Sequence, residues 1–220
     1  MNKEVPKKSA LILVAHADDE TLAAGGTICK LVEEGWIVDV VILSDTVRFG
    51  GAGLSNKLGA EEACDILGVH NLRILDVPDQ IFDTIAMAEL SQKVAVLKLE
   101  PDLIITNSDQ DLNKDHRLTC EAAKIIGRPI RKPVCILSGE IPSAAFWSGN
   151  QFSANFYVDI SPHIEKKIQA FKHYVHEIQA FPHPWSEEGL RLLAQFRGME
   201  CGLPFAEAFT IIRGYAGILI

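Results

Sequence analysis

Strand-like and helix-like segments alternate along the chain as far as residue 137. A continuous apolar run at 9–15 (SALILVA) has the pattern of a strand buried on both faces. Residues 21–34 carry helical periodicity through Leu22, Ile28, Leu31 and Val32 and stop at Gly35. The β-branched stretch 36–43 (WIVDVVIL) predicts a second strand. A loop containing Gly50, Gly51 and Gly53 leads to a helix over 56–67, closed by Gly68. A short strand follows at 72–75, then a helix at 86–99 ended by Pro101. Strands at 103–106 and 134–137 flank a helix at 117–126. After Trp147 the pattern loosens, leaving a strand at 156–160 and helices at 164–179 and 187–197.

This alternation implies βαβ units, and so an α/β fold with a mainly parallel sheet covered by helices on both faces. No repeat or linker interrupts the chain, and its 220 residues read as a single domain, 1–220. In such sheets, ligands bind beyond the carboxyl ends of the strands, at the point where the strand order reverses.

Composition narrows the function by exclusion. Apolar residues make up 48% and charged residues 23%, as in an ordinary globular protein. A net charge of -8 argues against nucleic-acid partners, whose phosphates demand a basic face. No apolar run approaches the roughly 20 residues that span a bilayer, and the apolar run at 10–15 is too short for a secretory signal. Five scattered cysteines, none in a CxxC pair, predict small core residues and a reducing, cytoplasmic setting.

Candidate chemistry sits at two strand ends. The first strand runs into His16-Ala17-Asp18-Asp19-Glu20. Histidine and aspartate are good ligands for a borderline metal such as zinc, and the i, i+3 spacing across a strand-to-helix turn lets His16 and Asp19 face one crevice. Asp18 is then placed as general base to a metal-activated water. A plainer reading has Asp18, Asp19 and Glu20 capping a helix, with His16 merely ending a strand. The second segment, NSDQDLNKDHR at 107–117, follows the fourth strand and puts His116 at a helix start. Three ligands from two loops leave an open position for water, the pattern of a catalytic zinc site, and their coincidence favours that reading over caps.

HADDE, DLNKDHR and the closing RGMECGLPFAEAF together resemble the LmbE/PIG-L family of zinc-dependent N-acetylglucosaminyl deacetylases, from Ile12 to about Arg213. ILG at 66–68 and DVPDQ at 76–80 extend the likeness. The resemblance implies a Rossmann-like fold, zinc (iron(II) suits the same donors) on His16, Asp19 and His116, and Asp18 as base. The implied reaction is removal of an N-acetyl group from an amino sugar, with Asp18 able to return the proton to the leaving amine.

Three positions depart from the family. Ala17 stands for the usual proline, and only Lys57 lies near Glu61 where many members carry an arginine. Asn113 replaces a histidine held to stabilise the oxyanion or act as an acid; it can donate a hydrogen bond but not a proton. Asn113 is kept as a substrate-binding candidate, with His183, set between Pro182 and Pro184, and Arg48, in the loop after the second strand. Glu207 is expected to line the pocket or, more readily, to anchor Arg197. His70, His163, His173 and His176 are expected to be solvated. Gly25-Gly26 lacks the GxGxxG or GxxxxGK[ST] context of a phosphate cradle. The expected partner is a small N-acylated amino sugar or conjugate, with no nucleic acid and no membrane span. The alternatives are a zinc hydrolase acting on a non-sugar amide and a non-catalytic sugar- or nucleotide-binding module.

Overall fold

The structure, a computed structural model, describes residues 7–46, 54–149 and 151–219. In chain order the elements are β1 (Ser9–His16), α1 (Asp19–Glu33), β2 (Ile37–Ser44), α2 (Lys57–Leu67), β3 (Asn71–Ile74), α3 (Met87–Ala95) and β4 (Leu103–Thr106). They continue with α4 (Lys114–Ile126), β5 (Cys135–Gly139), α5 (Pro142–Trp147), β6 (Phe156–Asp159), α6 (Ile164–Phe171), α7 (Glu187–Cys201) and β7 (Ala206–Arg213). A turn of 3₁₀ helix, Phe82–Thr84, precedes α3.

All seven strands form one sheet in the order β3-β2-β1-β4-β5-β7-β6. The pairings from β3 through β5 are parallel, and β7 runs antiparallel to both β5 and β6. The predicted α/β class and mainly parallel sheet are therefore what the chain forms. Alternate residues of β1 feed two separate cores, as the two-residue repeat of a strand requires. Ala10, Ile12 and Val14 pack beneath α1, α2 and α6 with Leu22, Ala63 and Phe171. Leu11, Leu13 and Ala15 pack on the other face under α3 and α4 with Leu90, Val94 and Ala122. Burying each large aliphatic side chain contributes about 1.5–3 kcal/mol, and Ile12 and Leu13 are fully buried.

Chain order reverses between β1 and β4, which pair directly from Ala10↔Leu103 to Leu13↔Thr106. The two candidate loops leave these neighbouring strands on the same edge, so tertiary structure brings residues 16–20 and 107–116 together.

Four elements differ from expectation. The helix expected over 164–179 ends at Phe171, because the chain turns there to bury Tyr174 beneath the first loop. The helix expected over 86–99 stops at Ala95. Strand β7 and short helix α5 were not signalled: β7 spans polar and apolar positions under two neighbours, and α5 is marked only by Pro142 at its first turn. No helix among the described residues is long and apolar enough to cross a membrane.

Candidate metal centre and catalytic cavity

His16 ends β1 and Asp19 opens α1, with the turn between them held from across the sheet. Asn107, one residue past β4, accepts from the Ala15 N–H (2.9 Å) and donates its Nδ2 to Asp19 Oδ2 (3.0 Å). The His16 N–H donates to the same carboxylate oxygen (3.0 Å). From the second loop, His116 enters in the first turn of α4.

Three buried ligand atoms converge. His16 Nδ1 lies 3.0 Å from His116 Nε2 and 3.6 Å from Asp19 Oδ2, and His116 Nε2 lies 3.3 Å from that oxygen. Bonds of about 2.0–2.1 Å in a tetrahedron set ligand atoms roughly 3.3 Å apart, so this triangle has the dimensions of a zinc-sized ion's shell. The outer nitrogen of each ring also faces a carboxylate: His16 Nε2 is 3.0 Å from Asp79 Oδ1, and His116 Nδ1 is 2.9 Å from Asp111 Oδ2. Asp79 favours a proton on His16 Nε2; His116 Nδ1 and Asp111 Oδ2 lie close but form no hydrogen bond as placed. With protons on both outer nitrogens, the two inner nitrogens would present facing lone pairs. Two lone pairs at that separation repel unless a proton or a metal ion lies between them. His16, Asp19 and His116 could therefore hold a metal ion.

A second grouping of His16 with Asp79 and Asp115 has suitable spacing too. Asp115, however, already accepts from the Gln80 N–H (2.8 Å) and the Phe82 N–H (3.2 Å). It serves better as outer support than as a ligand. The electrostatics agree with a cation site. Burial works to lower the His16 imidazole, but Asp115, Asp19 and Asp79 outweigh it and hold it well above its ordinary value. Burial opposes ionisation of Asp19 as well, yet His116 and His16 bring its carboxyl down to about 2.

Asp18 borders the same cavity, of about 540 Å³, with Asp19 and both histidines. It stands at φ 141°, a left-handed backbone that a non-glycine residue adopts only under strain. Its side chain caps nothing on α1, which sets the capping reading of Asp18 aside. Glu20 helps hold the turn: its Oε2 accepts from the Asp18 N–H (3.2 Å), and its Oε1 accepts from Thr21 and from the buried Tyr174 hydroxyl (2.5 Å each). Burial, then the charges of Asp19 and Glu177, push the Asp18 carboxyl well above its usual value, with His16 opposing. A carboxylate with a raised pKa is a stronger base.

Residues 11–126 match the family model of the PIG-L GlcNAc-PI de-N-acetylases. The chain belongs to the PIG-L family. Among its relatives, the diacetylchitobiose deacetylase of Thermococcus kodakarensis is 28% identical, with 94% of this chain and 84% of that protein aligned. The 4-oxalmesaconate hydratase of Pseudomonas putida is also 28% identical, over 78% of this chain and 74% of its own. The solved N,N'-diacetylchitobiose deacetylase of Pyrococcus horikoshii superposes with a TM-score of 0.71 at 23% identity, covering 93% of this chain and 84% of that one. That last likeness is one of fold.

Within the PIG-L frame the other candidate residues separate. Asn113 lines the cavity, but its Oδ1 caps α4 by accepting from the Asp115 N–H (2.9 Å), which leaves only its amide to face a ligand. His183 lines an adjoining apolar cleft with Trp147 and Phe181, and its Nδ1 accepts from the Trp185 N–H (3.1 Å). Arg48 lies outside the described residues.

Glu207 does not anchor Arg197. It accepts from the Gly26 and Thr27 N–H groups (2.9 and 2.7 Å) and from buried Lys167 (2.6 Å), while Arg197 makes a two-pronged pair with Glu140 (2.9 and 2.7 Å). The reason is the register of β7, which points Glu207 at α1 instead of α7. His163 is buried against Glu33, which departs from the expected solvated role, whereas His176 is exposed as expected and also borders the cavity. The supporting residues Asn107, Asp111, Asp79 and Tyr174 carried no separable signal; three are acidic or amide residues in segments already rich in them.

Proposed function

We propose that this PIG-L protein is a zinc-dependent deacetylase that hydrolyses the N-acetyl group of an amino sugar or sugar conjugate. The observation that carries it is the pair of inner ring nitrogens of His16 and His116, 3.0 Å apart, with both outer nitrogens set against carboxylates. Zinc on His16, Asp19 and His116 would polarise the acyl carbonyl and bring the pKa of water toward ~7; iron(II) suits the same donors. Asp18 takes the proton of the attacking water, for which burial and its neighbours' charge have raised its basicity. The Asn113 amide can donate to the carbonyl oxygen as negative charge builds there.

The substrate class follows from charge. The described lining of the cavity contains Asp18, Asp19, Asp79 and Glu177 and no lysine or arginine. A neutral amide whose product is an ammonium suits that field. An organic-acid anion, such as the substrate named for the hydratase relative, meets four carboxylates and no lysine or arginine among these residues. N-acetylated sugars, including the diacetylchitobiose of another relative, fit better.

The test is acetate release from N-acetylglucosamine and diacetylchitobiose by protein of known metal content, beside a His116→Ala variant. About one metal per chain with acetate release, both lost in the variant, supports the proposal. Turnover of 4-oxalmesaconate with neither sugar deacetylated would move the protein to the hydratase branch. Sugar binding without product from the metal-loaded protein would make it a binding module.

A further inference from the structure

Six of the seven histidines are engaged. His16 and His116 form the candidate metal centre. His70 pairs with Asp39 (3.2 Å), His163 with Glu33 (3.2 Å) and His173 with Glu62 (2.7 Å), and His183 accepts from the Trp185 N–H. The imidazole of His176 alone has no hydrogen bond or ion pair with any described residue. It is also the one histidine lining the catalytic cavity besides the two ligands.

Its place is built, not incidental. The segment after α6 is pinned to the first loop on either side of His176. Before it, the Tyr174 hydroxyl donates to Glu20, whose other oxygen holds the Asp18 N–H. After it, Glu177 Oε1 accepts from Asn56 Nδ2 (2.8 Å), and Asn56 is itself buried beside Ala17 O (3.4 Å). The Glu177 N–H closes the turn onto Tyr174 O (2.9 Å). His176, exposed to solvent, thus borders the cavity on a segment held to the turn that bears Asp18 by two contacts, one of them through Asn56.

Amide hydrolysis needs a proton delivered to nitrogen, because an amide anion is too poor a leaving group to depart unaided. The described lining offers few donors. Thr46, Ser143, Gln80 and Asn113 give hydrogen bonds but do not release protons near neutral pH. Asp79 is drawn to His16 and Gln80, and Glu177 is held as an acceptor by Asn56. Imidazole is the side chain suited to hold and release a proton in this range.

We propose that His176 is the proton donor to the leaving nitrogen, the role for which position 113 holds an asparagine; this rests on the deacetylase reading above. Water oxygen bonds to the acyl carbon as Asp18 takes one water proton. The C–N bond then breaks with its electron pair moving to nitrogen, which receives the proton of protonated His176. Carboxylic acid and amine are released, the acid passes its proton to the amine, and the proton on Asp18 returns through solvent to His176.

The experiment compares parent, His176→Ala and His176→Gln, all zinc-loaded, on an N-acetylated sugar amide and on 4-nitrophenyl acetate. The phenolate of the ester leaves without a proton. The expected result is unchanged metal content and a fall of ~100-fold in amide turnover relative to ester turnover, with added imidazole restoring part of the amide rate in His176→Ala. If amide and ester rates fall together, His176 is structural and the proposal fails. If neither falls, Asp18 returns its own proton and the proposal again fails. A metal-loaded parent that leaves the amide untouched overturns the deacetylase reading itself, a result visible before any variant is measured.

Discussion

At the scale of single residues, the centre divides into groups that could hold a metal ion and carboxylates that face their outer nitrogens. Asp18 is separable from the ligands, since its carboxyl is not among the converging atoms. Asp18→Asn is expected to keep metal content while turnover falls ~10²–10⁴-fold, checked by elemental analysis beside initial rates; full activity would remove Asp18 from the base role. Asp18→Gly tests the strain at φ 141°. Glycine adopts that backbone freely, so the metal-free variant should unfold about 1–2 kcal/mol harder than the parent while losing activity. Asp111 sits 2.9 Å behind His116 Nδ1, and orienting carboxylates of this kind matter for affinity. Asp111→Ala should weaken zinc binding ~10–100-fold in a competition titration with a chelating dye, and an unchanged affinity would show the contact to be idle.

At the scale of elements, α1, which opens with Asp19, packs closely against its neighbours at Gly25 and Gly26. A Cβ at Gly25 would meet Lys167 Cγ of α6 at 3.1 Å and one at Gly26 would meet Ile160 Cγ2 at 2.6 Å, so the glycine pair belongs to the close packing of α1 and not to phosphate binding. Gly26→Ala should cost about 1–3 kcal/mol in denaturant unfolding, the usual penalty of overpacking. Beside it, Glu207 neutralises buried Lys167 and satisfies two N–H groups of α1. Glu207→Ala leaves that lysine charged and unpaired, and a loss of roughly 3–5 kcal/mol is expected. A loss below ~1 kcal/mol would mean that water reaches Lys167 in the variant.

At the scale of the whole molecule, the reversal of strand order between β1 and β4 is what turns two distant segments into one centre. His16 and His116 are separated by 100 positions, so a metal bound between them would tie together two segments remote in sequence. Binding confined to the folded state raises stability by ~4 kcal/mol at 1,000 times the dissociation constant. For a chain of this size each kcal/mol moves the melting temperature by about 2–4 °C. Chelation should therefore lower it by roughly 8–16 °C, and in His116→Ala the same treatment should have no effect.

The sequence by itself determined the α/β class, the order of the elements through β5 and the two loops that bear the candidate ligands. Those features are written locally, in buried apolar runs, helical periodicity and the runs of histidine and aspartate at two strand ends. Tertiary structure alone decided what stands behind the ligands and around them. Asp79 and Asp111 become partners of the two histidines, Glu207 meets Lys167 instead of Arg197, and His176 reaches the cavity because the chain leaves α6 early to bury Tyr174. Each depends on register and on packing between segments remote in sequence. Periodicity reports which face of an element is buried, but not which distant side chain will meet it there.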